Sequence, residues 1–339
     1  MSLRFMLRGS VPMILLVAGW LMAGSPSRAQ DLPAQGAPGK TVRLLTVGNS
    51  FSQNATNLLD GIVKADGQTL IHHRCVIGGS GFAQHWERVE KHAKDPADKA
   101  GRYDSGKSLL EELKAEPWDV ITIQQASIRS HNVETYRPSA KQLCDFIRQH
   151  APQSEVVLHQ TWAYRSDDRR FAPQTARAAK AGEPRTREEM YAGLNSAYRT
   201  IAQELGVRRI PVGDAFHLAD SDPQWGFKPD AKFDFAGAEP KRLPDQTHSL
   251  HTGWSWSKDK EGKPVLAMDG HHANAWGSYL GACVFFEFLF DRSVVGNKFA
   301  PPNLPKEDVR FLQEIAHRAV EGLKAENAEL AKAKVQAKK

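Results

Sequence analysis

Five short, largely apolar runs that lack a polar residue at every second position constrain the fold of this chain more than any other feature. They are Val42 to Val47, Leu70 to Ile77, Val120 to Ile123, Val156 to His159 and Arg209 to Val212. Between them lie amphipathic stretches suited to helices, near Ala55 to Ala65, Phe82 to His92, Lys107 to Ala115, Ser139 to His150 and Arg187 to Leu205. A strand with one wet face alternates in polarity, whereas a strand covered on both faces does not, so this pattern predicts parallel strands under two helical layers. The expected class is α/β: a three-layer α/β/α sandwich with a central, mostly parallel five-stranded sheet, closed by helices at Ala275 to Phe290 and Lys306 to Leu330.

Ligands bind such open sheets beyond the carboxyl ends of the strands, which directs attention to the residues after each run. These are small or polar: Gly48-Asn49-Ser50, Gly78-Gly79-Ser80-Gly81, Gln124-Gln125-Ala126-Ser127, Gln160-Thr161-Trp162 and Gly213-Asp214.

The 339 residues suffice for one large core without disulfides. Residues 1–29 read as a secretory signal: Arg4 and Arg8 precede the apolar run Val11 to Ala23, and Ser27-Arg28-Ala29 offers small residues for cleavage near Ala29. That run is shorter than a bilayer span requires, so an exported protein, periplasmic or extracellular, without stable membrane insertion is expected. A flexible leader at 30–40, a domain at 41–330 with insertions near 164–187 and 220–268, and a basic tail at 331–339 complete the expected organisation. Losing the three arginines of the signal lowers the formal charge from +6 to +3, too mild to imply a nucleic-acid partner. Cys75, Cys144 and Cys283 sit in apolar surroundings and read as buried free thiols more readily than as a disulfide framework.

Chemistry concentrates at the two ends of the domain. Ser50 follows the first apolar run in a turn, where a strand delivers a side chain outward, and Asp269-Gly270-His271-His272 precedes the last core helix. A serine hydroxyl becomes nucleophilic when an imidazole takes its proton and a carboxylate orients that imidazole. Ser50, His272 and Asp269 fill those roles if the ends meet, with the Asp-x-x-His spacing allowing one turn to present both side chains; His271 competes with His272 as the base. The oxyanion needs donors, for which the N–H of Ser50, Gly78 or Gly79, and the side-chain amide of Gln124 or Gln125 are candidates. Asn49, Trp162 and Tyr164 are candidate substrate contacts. His248-x-x-His251, His72-His73 and His271-His272 lack the carboxylate pattern of a metal site, and no Gly-rich phosphate loop occurs, so neither metal nor cofactor is expected.

These residues resemble the SGNH, or GDSL-type, hydrolase superfamily over roughly residues 41–290. Gly48-Asn49-Ser50-Phe51 is similar to its first block, Gly78-Gly79-Ser80 to its second and Asp269-Gly270-His271-His272 to its fourth. The resemblance implies an esterase working through an acyl-enzyme, with removal of acetyl groups from carbohydrate the favoured substrate class by analogy. Two departures stand out: Asn49 replaces the family's aspartate, and Gln124-Gln125-Ala126-Ser127 replaces its Gly-x-Asn-Asp block. A Gly-x-Ser-x-Gly elbow would need glycine at position 52, which is Ser52. The competing class is a non-catalytic glycan-binding module on a degenerate hydrolase scaffold.

Overall fold

The computed structural model describes residues 39–173, 180 and 182–336. The expected secretory signal, most of the leader and the end of the basic tail lie outside these residues. The central sheet comprises β1 (Thr41–Gly48), β2 (Thr69–Val76), β3 (Val120–Ile123), β4 (Glu155–His159) and β5 (Arg208–Ile210). Its order is β2-β1-β3-β4-β5 and every pairing is parallel. The sequence pattern follows from position: β3 is buried at all four residues between helical layers, whereas β2, at the edge, is mostly half-buried and carries His72, His73 and Arg74.

One helical layer contains α1 (Ser50–Thr56), α2 (Leu59–Ala65), α8 (Ala275–Phe290) and α9 (Lys306–Gln336); the other contains α3 (Phe82–Lys94), α4 (Leu109–Leu113), α5 (Ser139–His150) and α6 (Arg187–Leu205), with α7 (Val212–Asp220) packed on α8 and α9. The first amphipathic stretch therefore forms two short helices. Helix α8 is buried along almost its whole length, which is why its sequence is apolar all round and shows no stripe. Gly281 lets it lie close to α1, because a Cβ there would stand 2.8 Å from the Cα of Ala55. The three cysteines are free and buried.

The segment expected as a long loop from Asp220 to Met268 contains an antiparallel hairpin, β6 (His251–Lys258) and β7 (Pro264–Ala273). Its aromatics anchor it to the body. Trp225 stacks on His248 and Phe311 and its indole N–H donates to Asp308, while Trp254 donates to Asp167. The buried guanidinium of Arg165 ties the base of the hairpin down, donating to Asp167 and Gln246 and lying 4.4 Å over the ring of Phe227. Among the described residues no helix is long and apolar enough to cross a membrane.

Candidate active site

Strand β1 ends at Gly48, where a Cβ would fall 2.6 Å from the Oε1 of Gln124, so only glycine lets the chain turn there. Asn49 then caps α1, its Oδ1 accepting from the Phe51 N–H at 2.8 Å. Ser50 is thus the first residue of a helix, where the backbone N–H has no intrahelical acceptor, and its side chain is half-buried at the carboxyl edge of the sheet.

The hairpin brings the other end of the chain to this point. A regular strand would direct Asp269 and His272, three residues apart, to opposite faces. Between His251 and Gly253 the register shifts: His251 pairs with Ala273 but Gly253 pairs with Asp269, which leaves extra residues on β7 and bends it. Gly253 adopts φ 75°, and a Cβ there would collide with the Gln246 and Arg165 side chains. Within the bulge the Asp269 Oδ1 accepts the N–H groups of His271 and His272, at 3.2 and 3.0 Å. The expected single turn at the mouth of a helix is therefore a bulged strand, with the same result for the side chains.

Ser50 Oγ lies 2.8 Å from His272 Nε2, and His272 Nδ1 lies 2.8 Å from Asp269 Oδ2. His271 uses the same carboxylate, its Nδ1 2.9 Å from Asp269 Oδ1, and is not in hydrogen-bond contact with Ser50. Burial pushes the Asp269 carboxyl upward, but hydrogen bonds from the His271 and His272 side chains and the His272 N–H outweigh it and hold the group well below the usual carboxylate range. Asp269 is therefore ionised throughout the neutral range. Ser52 is no rival nucleophile: its buried hydroxyl donates to the carbonyl of Asn49 at 2.8 Å.

The serine opens on a cavity of about 390 Å³ lined by Asn49, Ser50, Phe51, Gly79, Ala126, Ser127, Ile128, Tyr164, Arg170, His271 and His272. Gly79, at φ 66° in a tight turn closed by the Ser80 N–H on the Ile77 carbonyl, lines it; Gly78 does not.

Three expected contacts need correction. The side-chain amide of Gln124 is buried and spent on Asn49 Oδ1 at 2.8 Å, while its oxygen faces His159 Nδ1 at 3.1 Å. Gln125 donates to the carbonyl of Thr135 and accepts from the Ala126 N–H. Neither glutamine side chain reaches the cavity; at a strand end the sequence does not say which way a side chain points. Trp162, fully buried, stacks between Phe51 and Phe216 at 4.3 and 4.4 Å and donates to the carbonyl of His271, so it braces the site from behind. Tyr164 does line the cavity, its hydroxyl 2.9 Å from Ser127 Oγ.

Asn49 now has a structural reason. Its Nδ2 donates to the Ser80 carbonyl at 2.7 Å, a bond a carboxylate cannot make, while its Oδ1 takes the Phe51 N–H and the Gln124 amide. The loops after β1, β2 and β3 are thereby tied at one buried amide. Sequence reasoning missed Arg170, Ser127 and Ile128; Arg170 lies in a segment whose many charges concealed it.

Asp269, His271 and His272 also carry ligand atoms within 4.8 Å of one another, as do Glu287, His317 and Glu321. His251, by contrast, is buried with its Nε2 on the Ala163 carbonyl, and His248 stacks on Trp225.

Residues 43–199 match the sequence model of DUF4886, a domain of unknown function. The chain is similar to a solved DUF4886 family protein from Bacteroides uniformis, with 26% identity over 83% of this chain and 95% of that one and a TM-score of 0.61. It is also similar to a provisionally assigned SGNH hydrolase from Slackia heliotrinireducens, at 20% identity, 73% and 98% coverage and TM-score 0.43. A GDSL-like lipase from Parabacteroides merdae, likewise provisionally assigned, stands at 13% identity, 76% and 99% coverage and TM-score 0.42. None of the curated proteins matches the chain.

Proposed function

We propose, on the premise that this chain is built on a hydrolase scaffold of the SGNH type, that it is an exported serine esterase in which His272 activates Ser50 and Asp269 orients His272. The observation that carries the reading is the continuous hydrogen-bonded row Ser50, His272, Asp269, ending on a cavity open to a substrate. The His272 Nδ1–H donates to the ionised Asp269, which leaves Nε2 as the acceptor for the Ser50 hydroxyl proton. Ser50 Oγ forms a bond to the ester carbonyl carbon, and the carbonyl oxygen takes up the negative charge. The N–H groups of Ser50, at the start of α1, and of Gly79, on the cavity wall, are the proposed donors to it. Collapse of this intermediate breaks the bond to the alcohol, which leaves with the proton from His272. Water, activated by the same imidazole, then cleaves the acyl-serine.

The secretory leader read from the sequence supports a substrate outside the cytoplasm, and acetylated carbohydrate remains the favoured class. A non-catalytic glycan module drew its motivation from Asn49 and the absent third block. The bond from Asn49 to Ser80 and the Asn49–Gln124 pair account for both without loss of the serine.

A fluorophosphonate, which reacts with activated serines only, should label the mature protein once, at Ser50, and leave Ser50→Ala unlabelled; folded wild-type protein that stays unlabelled overturns the reading. Gln124→Met separates a structural from a catalytic role for that amide. It should cost about 1–3 kcal/mol of stability, because the buried His159 Nδ1 loses its partner and Asn49 loses one of its bonds. Ester turnover should fall by less than about tenfold, against roughly 10²–10³ for a lost oxyanion donor, and a fall of that size in folded protein would return Gln124 to the oxyanion hole.

A further inference from the structure

Arg170 carries the one full side-chain charge, histidines aside, among the described residues lining the cavity. A neutral acetyl ester makes no use of it. The guanidinium is held in place rather than dangling: it lies 4.5 Å over the ring of Tyr164, itself buried and bonded through its hydroxyl to Ser127. Its carboxylate neighbour, Asp168, is 3.9 Å from Nε, beyond hydrogen-bond distance, and is itself engaged with the Arg170 N–H. On the other edge Nη2 stands 3.3 Å from His271 Nδ1. That nitrogen is closer to Asp269 Oδ1, at 2.9 Å, and donates its proton there. It therefore has no lone pair for Arg170. Among the described residues, a planar donor fork thus faces the cavity beside the two histidines with hydrogen-bonding capacity left for a ligand.

We propose that Arg170 selects an anionic ester, one bearing a carboxylate a few bonds from the scissile carbonyl, which the guanidinium grips while Ser50 attacks. The proposal rests on the esterase reading of the site and narrows its substrate class. Arginine suits the task because its fork matches a carboxylate, and a charge-assisted pair in a partly enclosed cavity is stronger than one in water.

The test compares kcat/KM for three 4-nitrophenyl or aryl esters: neutral 4-nitrophenyl acetate, 4-nitrophenyl hemisuccinate with the carboxylate on the acyl side, and 4-acetoxybenzoate with it on the alcohol side. The readout is the ratio of anionic to neutral ester, in which any general damage to the site cancels. In Arg170→Gln the ratio for one of the anionic esters should fall by about 10- to 100-fold, and Arg170→Lys should restore part of it. The ester whose ratio falls identifies the side that carries the anion. Unchanged ratios for both overturn the proposal. An NMR titration of monomethyl succinate and of benzoate into Ser50→Ala, with and without Arg170→Gln, reads recognition without turnover. Binding that depends on Arg170 in a protein hydrolysing no ester would retain the anion site and reject the esterase; equal affinities in both variants reject the anion site.

Discussion

Ser50→Ala, His272→Ala and the double variant are expected to lose the same activity, on the order of 10⁶-fold in kcat, instead of losses that multiply. Ser50 and His272 form one path for one proton: without Ser50 the imidazole has nothing to deprotonate, and without His272 the hydroxyl keeps its proton. Asp269→Asn should cost less, about 10⁴-fold, since the serine and base remain but the imidazole loses the partner that fixes its tautomer. Here the carboxylate has a second duty, because Oδ1 also takes the N–H groups of His271 and His272. Steady-state kinetics at matched thermal stability is the measurement. Losses that multiply in the double variant would show that Ser50 and His272 act independently and would end the triad reading.

Acid should unfold this protein early. His85, His159 and His251 are fully buried, and burial pushes each of them down to about 3. In the unfolded chain they titrate at about 6.5, so as pH falls below that value the unfolded chain binds protons that the folded one refuses, and stability falls. At pH 5 each costs about 2 kcal/mol by this linkage, together about 6 kcal/mol of the ~5–15 kcal/mol that holds a typical domain. Asp220 acts in the opposite direction. Burial, against the pull of Arg187, raises its carboxyl to about 6, so the folded state gains a proton first and recovers about 1 kcal/mol by pH 5. Asp269 enters only below about pH 4, where its unfolded carboxyl begins to protonate. From these four groups the loss is about 5 kcal/mol, which corresponds to a drop in Tm of about 10–20 °C between pH 7 and pH 5. A Tm constant across that interval would mean that the buried imidazoles are protonated in the fold or reached by water.

The sheet was legible because burial on both faces writes itself into composition: β1 and β3 are short runs dominated by apolar residues without the alternation of a half-wet strand. The hairpin was illegible for the complementary reason. Strand β6 mixes Gly253, Trp254 and Trp256 with exposed serine and lysine, and its Trp254 is held by Asp167 directly and by Arg165 through Gln246, contacts with a distant loop that no local pattern records. Ser50, Asp269 and His272, which the structure joins by hydrogen bonds, could be picked out because the proposed chemistry asks for those residue types, although Asp269 and His272 lie in a bulged strand and not in a turn. Gln124 and Gln125 occupy an equally suitable place in the sequence, yet both amides turn inward. The deciding fact is the appetite of Asn49 and Thr135 for donors, which is a property of the assembled loops.

The register shift in the hairpin separates two things that most strands keep together. Between the bulge and the tip the ladder runs regularly from Gly253 opposite Asp269 to Lys258 opposite Pro264. Changes at the tip, residues 259–263, are absorbed by that ladder before they reach the histidine, so the far end of the hairpin is free to lengthen, shorten or acquire new side chains. Deleting both Gly270 and His271 would do the reverse, healing the ladder while putting the imidazole on the face opposite Asp269. The element that would gain most in regularity is thus the one whose irregularity aims the base.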